Sequence, residues 1–265
     1  MAVLVLAGCS TSKVMTSELA STPPKVDGNT EEWAGSMQRH EDGRILLGVR
    51  NDSERLYVAV RSSDAATVRQ AIMTGMELWI DPAGGKDQHA GFRYPMGLVN
   101  FNRGSSEALP LPTGGTDPAM MEMLFGAQMT DMQLLAKDSP PMRVRVGSIE
   151  GLEASSRFEA GTLSYEFSIP LTGLGDLDLG LPADLAMLSL GVKTVQLGGG
   201  RGQEGQAGVG GGGAGGGGRG GRGGGGRGGR GGGGGGGQGG GGGQGGGPGG
   251  GPEPINLWVQ VNLAK

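Results

Sequence analysis

Ile255-Asn256-Leu257-Trp258-Val259-Gln260-Val261-Asn262-Leu263 alternates apolar and polar residues without a break. That is the period of a strand with one dry side and one wet side. It follows a run, Gly198 to Gly251, in which 40 of 54 residues are glycine and five are arginine (Arg201, Arg219, Arg222, Arg227 and Arg230). Glycine brings no side chain to bury and loses the most backbone freedom on ordering, so the run cannot build a core of its own. A strand resuming beyond it makes residues 198–251 a disordered insertion inside a domain rather than a tail. Such insertions are tolerated because closure entropy grows only with the logarithm of length.

Without the run, glycine content is ordinary, and the supply of Val, Leu, Ile and Met suffices for one sizeable core. The chain carries −4, the run holds five Arg and one Glu, and the rest therefore carries −8. An acidic body with a weakly basic insertion lacks the strongly basic face of a nucleic-acid binder. The run is similar to the Arg-Gly-Gly segments of RNA-binding proteins, but no aromatic residue interleaves its arginines. No nucleic-acid partner is expected. The run is free instead to contact a protein partner.

Outward from the closing strand, period-two alternation recurs. Arg44 to Val49 and Glu54 to Arg61 read as a hairpin around Asn51-Asp52-Ser53. Asp64 caps a short helix, Ala65 to Thr74, which stops at Gly75. Met76 to Asp81, Met142 to Val146, Ser155 to Ala160, Leu163 to Ile169 and Met187 to Leu197 read as further strands, and Met-rich Met120 to Leu135 as a helix. Many strands punctuated by turns predict an all-β fold, an antiparallel jelly-roll-like sandwich over 23–265.

The strand period also sorts candidate site residues. Glu77, Trp79 and Asp81 point away from Met76, Leu78 and Ile80; Trp258 and Gln260 point away from Leu257, Val259 and Val261; Tyr57 opposes Leu56 and Val58. If these strands are neighbours, Trp79, Trp258, Tyr57, Glu77 and Gln260 form one wet face. Aromatic planes pack on sugar C–H surfaces, and amides and carboxylates read hydroxyls, so this face suits a carbohydrate. The competing reading buries each tryptophan beneath a covering segment, with the Met-rich stretch as the cover. His40 and His89 are the only histidines and lack metal-ligand spacing, so no metal or cofactor is expected. The loop Asp81-Pro82-Ala83-Gly84-Gly85-Lys86-Asp87 reads as a solvated turn rather than a calcium loop. There is no nucleophile elbow and no phosphate-cradling loop leading into a helix, so no enzymatic activity is expected.

Several of these pieces, taken in order, resemble the family 9 carbohydrate-binding module-like (DOMON-like) sandwich domains. They are Val26-Asp27-Gly28-Asn29-Thr30-Glu31-Glu32-Trp33, Asn51-Asp52 before Leu56-Tyr57-Val58-Ala59-Val60, Asp64, Glu77-Leu78-Trp79-Ile80-Asp81-Pro82, and Tyr165-Glu166-Phe167-Ser168-Ile169-Pro170. The resemblance implies an exported sandwich that binds a saccharide, with Trp33 as a core anchor. It leaves two alternatives: a structural or protein-interaction module without a small ligand, and a haem-binding relative in which Met76 or Met96 joins a histidine as axial ligand. Leu6-Ala7-Gly8-Cys9, ending an apolar N-terminus at the single cysteine, resembles the lipobox of bacterial lipoproteins. That implies a partial signal peptide at 1–8, an acylated Cys9 anchoring the chain in a lipid bilayer, and a tether at 9–22. With Ser10 after the cysteine, it implies the outer membrane rather than the inner.

Overall fold

The computed structural model describes residues 13–103, 118–172, 181, 185–194 and 253–265. In chain order the strands are β1 (Lys13–Thr16), β2 (Glu18–Leu19), β3 (Gln38–His40), β4 (Ile45–Asn51) and β5 (Arg55–Ser62). Helix α1 (Ala65–Thr74) leads into β6 (Met76–Asp81) and β7 (Ala90–Arg93), then α2 (Leu98–Arg103) and α3 (Pro118–Gly126). There follow β8 (Asp131–Ala136), β9 (Met142–Arg145), β10 (Glu153–Glu159), β11 (Thr162–Pro170), β12 (Met187–Thr194) and β13 (Asn256–Asn262).

The strands make two sheets, one ordered β1-β13-β12-β6-β7-β8-β9, the other β10-β11-β5-β4-β2 with β3 also on β4. The fold is the all-β sandwich that the sequence predicts. Two parallel pairs, β1 with β13 and β2 with β4, depart from an otherwise antiparallel pattern. Both arise because residues 13–20 cross between the sheets: Ser17 donates to the Asn262 carbonyl (2.9 Å) and Ala20 to the Asn51 carbonyl (2.8 Å). Strands β1 and β2 therefore lie within the stretch 9–22 expected as a tether. Four-residue β1 and two-residue β2 are too short to show the alternation that marks a strand.

Apolar alternation decides which faces meet. Leu56, Val58, Val60, Leu163, Tyr165, Phe167 and Ile169 face Leu78, Ile80, Leu188, Leu190, Val192, Leu257, Val259 and Val261, all nearly inaccessible. Phe167 centres an aromatic cluster, 5.6 Å from Phe92, 5.7 Å from Tyr165 and 6.1 Å from Tyr94, within the range of favourable ring pairs. Local chemistry places the connections. The Asp52 carboxylate accepts the Glu54 and Arg55 amides, both at 2.8 Å, fixing the β4–β5 turn. Asp64 caps α1 by accepting the Thr67 amide at 2.8 Å, and Gly75 ends the helix at φ 91°, a left-handed angle that glycine adopts without strain.

The Met-rich stretch is not one helix. Residues Pro118–Gly126 form α3, against α1 and β10, and Asp131–Ala136 form β8. Met132, Leu134 and Leu135 are all buried, which gave the stretch a continuous apolar look compatible with either structure.

A second, smaller core lies on the outer face of the six-stranded sheet. Trp33 packs on Gly48, where a Cβ would come within 2.7 Å of the indole ring. Tyr57 and Ala59 complete that cluster. The indole N–H donates to the Glu166 carboxylate (2.7 Å), whose other oxygen accepts the Asp27 (3.1 Å) and Gly28 (2.7 Å) amides.

The ends of β12 and β13 are tied together where the glycine run departs and returns. The Thr194 amide donates to the Ile255 carbonyl (3.0 Å), and the Ile255 amide to the Thr194 hydroxyl (2.9 Å). The run itself, 198–251, and residues 1–12 with Cys9 lie outside the described residues. No helix among the described residues is long and apolar enough to cross a membrane.

His40 is buried, and its Nε2 has no hydrogen-bond partner. Burial lowers its pKa below the ordinary histidine value, with nearby Lys13 adding to the effect and Glu41 opposing it. A folded-state pKa below the unfolded one means that the stability linked to neutral His40 is fully present above about pH 6.5. It is lost as pH falls toward the lowered value. Urea unfolding between pH 8 and pH 5 is expected to show stability falling in that window, and His40→Phe to flatten the fall.

Candidate functional site

The outer face of the seven-stranded sheet carries most of the predicted site. Strand β12 stands between β13 and β6, so Gly191 is the cross-strand neighbour of both Trp258 and Trp79. Two strand spacings put the tryptophan backbones about 9.5 Å apart. Neither ring stands upright. A Cβ on Gly191 would meet three ring atoms of Trp258 at 2.9 Å, so that indole lies on the glycine. A Cβ on Gly91, opposite Trp79 on β7, would meet the Trp79 ring at 2.9 Å. Two side-chain-free positions thus let two indoles lie down on the sheet.

Their exposure differs. Trp258 is half-buried, whereas Trp79 is 8% exposed. The Trp79 N–H donates to Glu77 at 2.7 Å. Gln88, with its amide oxygen turned inward, accepts from Trp79 (3.1 Å) and from the Lys193 ammonium (3.2 Å). The loop after β6 therefore reaches back over Trp79, and the Met-rich segment expected as its cover instead packs on α1 and β10.

A row of polar side chains runs across the same face. Lys193, Glu77, Arg93 and Gln133 are successive cross-strand neighbours on β12, β6, β7 and β8. Both Arg93 Nε (3.1 Å) and Nη2 donate to one Glu77 oxygen, and Nη1 donates to Gln133 (2.6 Å). The two Glu77 oxygens are thereby shared between Arg93 and Trp79, which fixes the carboxylate and the indole edge together. Lys193 lies 5.4 Å from the Trp258 ring centroid, within cation–π reach. Burial pushes its pKa down, and the Glu77 charge opposes that shift. One row over, Gln260 reaches the Gly84 carbonyl (3.2 Å) and is half-buried.

Four of the five residues expected to share a wet face, Trp79, Trp258, Glu77 and Gln260, are brought together. Tyr57 is not. It lies on β5 in the other sheet, 2% exposed in the Trp33 cluster, with its hydroxyl donating to Asp52 at 2.7 Å. Period two established which side of β5 it occupies, but not which sheet β5 joins. Lys193, Arg93, Gln133 and Gln88 were missed. Lys193 was legible as the polar position after Gly191 in β12, whereas β7 and β8 were not recognised as strands.

Other candidate positions have structural partners. The Asp81 oxygens accept the Ala83 (2.9 Å) and Asp87 (2.8 Å) amides, and Asp87 pairs with Lys137 at 2.6 Å. No group of three metal-ligating side chains occurs among the described residues. Met76 and Met96, the suggested axial ligands, are 1% and 0% exposed.

No family model matches the chain, and no curated protein matches it. Among solved structures it is similar to a family 9 carbohydrate-binding module from Caldicellulosiruptor kristjanssonii in complex with glucose. The identity is 10%, with 70% of this chain and 78% of that chain covered, at a TM-score of 0.35. A complex of such a module from the same organism with cellotriose gives 10% identity, 69% and 76% coverage, and a TM-score of 0.33. Strand order and register establish the sandwich directly.

Proposed function

We propose that this chain is a non-enzymatic lipoprotein of the bacterial cell envelope whose seven-stranded sheet binds a saccharide on its outer face. The observation that carries the reading is the half-buried Trp258 indole lying on Gly191, with Lys193 and Gln260 beside it. A flat, supported indole offers apolar contact to the C–H face of a sugar ring. The ammonium and amide are placed to meet hydroxyls at its edge. Trp79 serves from below: its bonds to Glu77 and Gln88 hold the polar row in register. Acylation of Cys9 anchors the chain, with the outer membrane favoured by Ser10.

A glycan array that includes glucose and cellotriose tests the reading. Wild type is expected to bind a defined subset of saccharides. Trp258→Ala is expected to abolish binding while the protein stays folded, and Trp79→Ala to weaken binding and stability together. Wild type that binds no saccharide would sink the proposal and leave an interaction module. Acylation is read separately, as the intact mass of wild type and Cys9→Ser extracted from the envelope of the host.

A further inference from the structure

At the end of the sandwich where the chain enters β1, cationic side chains collect against the acidic background of the body. Arg39 on β3 and Arg61 on β5 are both cross-strand neighbours of Leu46 on β4, so their backbones stand about 9.5 Å apart on one face. They line an open cleft of about 510 Å³ with Arg44, Asp42, Gly43, Ser63 and Asp64. Both arginines are exposed, and neither makes a hydrogen bond or ion pair with the described residues.

The neighbouring carboxylates are mostly occupied. Glu41 is shared by Lys13 (3.0 Å) and Arg44 (3.6 Å). Asp64 accepts the Thr67 amide (2.8 Å) and hydroxyl (2.6 Å) as the cap of α1. Arg44 also donates to the Glu253 carbonyl at 3.0 Å. Asp42 remains as the one lining acid without a side-chain partner among the described residues. Two uncommitted guanidiniums thus face outward, and guanidinium is the side chain best matched to a phosphate oxyanion.

The position of this cleft in the chain indicates what it meets. Lys13, the first residue of β1, is tied by its ion pair to Glu41 at the cleft rim. Only Ser10, Thr11 and Ser12 separate it from Cys9, a maximum reach of about 14 Å for four extended steps. An anchor at Cys9 therefore draws this end of the sandwich, rather than its far end, down to the headgroup layer. We propose that the Arg39–Arg61 cleft binds the phosphates of anionic lipid headgroups and so sets how the domain stands on the membrane. The orientation rests on the lipoprotein reading, but the headgroup affinity does not.

The test uses the full chain carrying Cys9→Ser, sedimented with vesicles of phosphatidylcholine alone or mixed with phosphatidylglycerol. Binding is expected only to the anionic vesicles and to weaken with salt. Removing two surface cations with Arg39→Ala/Arg61→Ala is expected to weaken it roughly thirtyfold, about fivefold per charge. The charge-matched control Arg222→Ala/Arg227→Ala in the glycine run is expected to weaken it less. Equal losses in the two double variants, or no loss in the first, would overturn the proposal. Inorganic phosphate that displaces the protein from vesicles at low millimolar concentration would reassign the cleft to free phosphate and also overturn it. Acylation at Cys9 without headgroup binding would contradict only this proposal. Headgroup binding by the Cys9→Ser chain, together with a wild type that carries no acyl mass when extracted from the host envelope, would contradict only the anchor.

Discussion

Glu166→Ala is expected to lower stability by about 3–5 kcal/mol in chemical denaturation, because it leaves three buried or half-buried donors without their acceptor at about 1–3 kcal/mol each. The Trp33 indole and the Asp27 and Gly28 amides all converge on this one carboxylate. Trp33 covers Gly48 and Ala59 on the outer face of the six-stranded sheet, so releasing it uncovers the second core as well. Burial raises the Glu166 pKa, against the lowering effect of its three donors, so the charged group sits there at a desolvation cost. Glu166→Gln removes that cost but has one acceptor oxygen for donors on two sides, and is expected to lose about half as much. A loss below about 1 kcal/mol in the alanine variant would show that the Trp33 segment is not held through this carboxylate.

The second large effect separates the glycine run from the strand behind it. Removing Ile255 to Leu263 takes out Ile255, Leu257, Val259, Val261 and Leu263, each 9% exposed or less, from between β1 and β12. At about 1.5–3 kcal/mol per side chain, the loss is about 8–15 kcal/mol, as large as the whole stability of a typical domain. No folded protein is expected. Deleting Gly199 to Gly250 is expected to leave the sandwich standing, because Thr194 and Ile255 bond each other directly. It shortens the connection from about 60 to about 8 residues, three halvings at about 0.6 kcal/mol each, and should raise stability by about 2 kcal/mol if the run is an unordered closure. Circular dichroism with urea titration reads both variants, and unfolding of the second would show that the run contributes to the fold.

Strands β4, β5, β11, β12 and β13 were legible because each keeps one dry side over at least six residues. Met76–Asp81 and the helix between Asp64 and Gly75 have the bounds expected from alternation and capping chemistry. Strands β1, β2, β3 and β7 are two to four residues long, and short strands give period two nothing to repeat over. Strand β8 was hidden because Leu134 and Leu135 are both buried, which breaks the alternation. The same limit applied to the site. Periodicity put Trp79 and Trp258 on polar faces, but their meeting depends on β12 standing between β6 and β13, which local sequence does not encode. Tyr57 shows the converse: the same face preference on a strand of the opposite sheet carries it into a separate core. Gly191 and Gly91 were invisible as determinants until the rings lying on them were seen.

The account turns on Trp258 being a platform because Gly191 lets it lie flat. Calorimetric titration of Gly191→Val with a saccharide that wild type binds tests this most directly, since the variant keeps every side chain of the site. A Cβ at 2.9 Å from three ring atoms must lift the indole, so affinity is expected to fall at least tenfold with the circular dichroism spectrum unchanged. Wild-type affinity in a folded Gly191→Val protein would contradict the account.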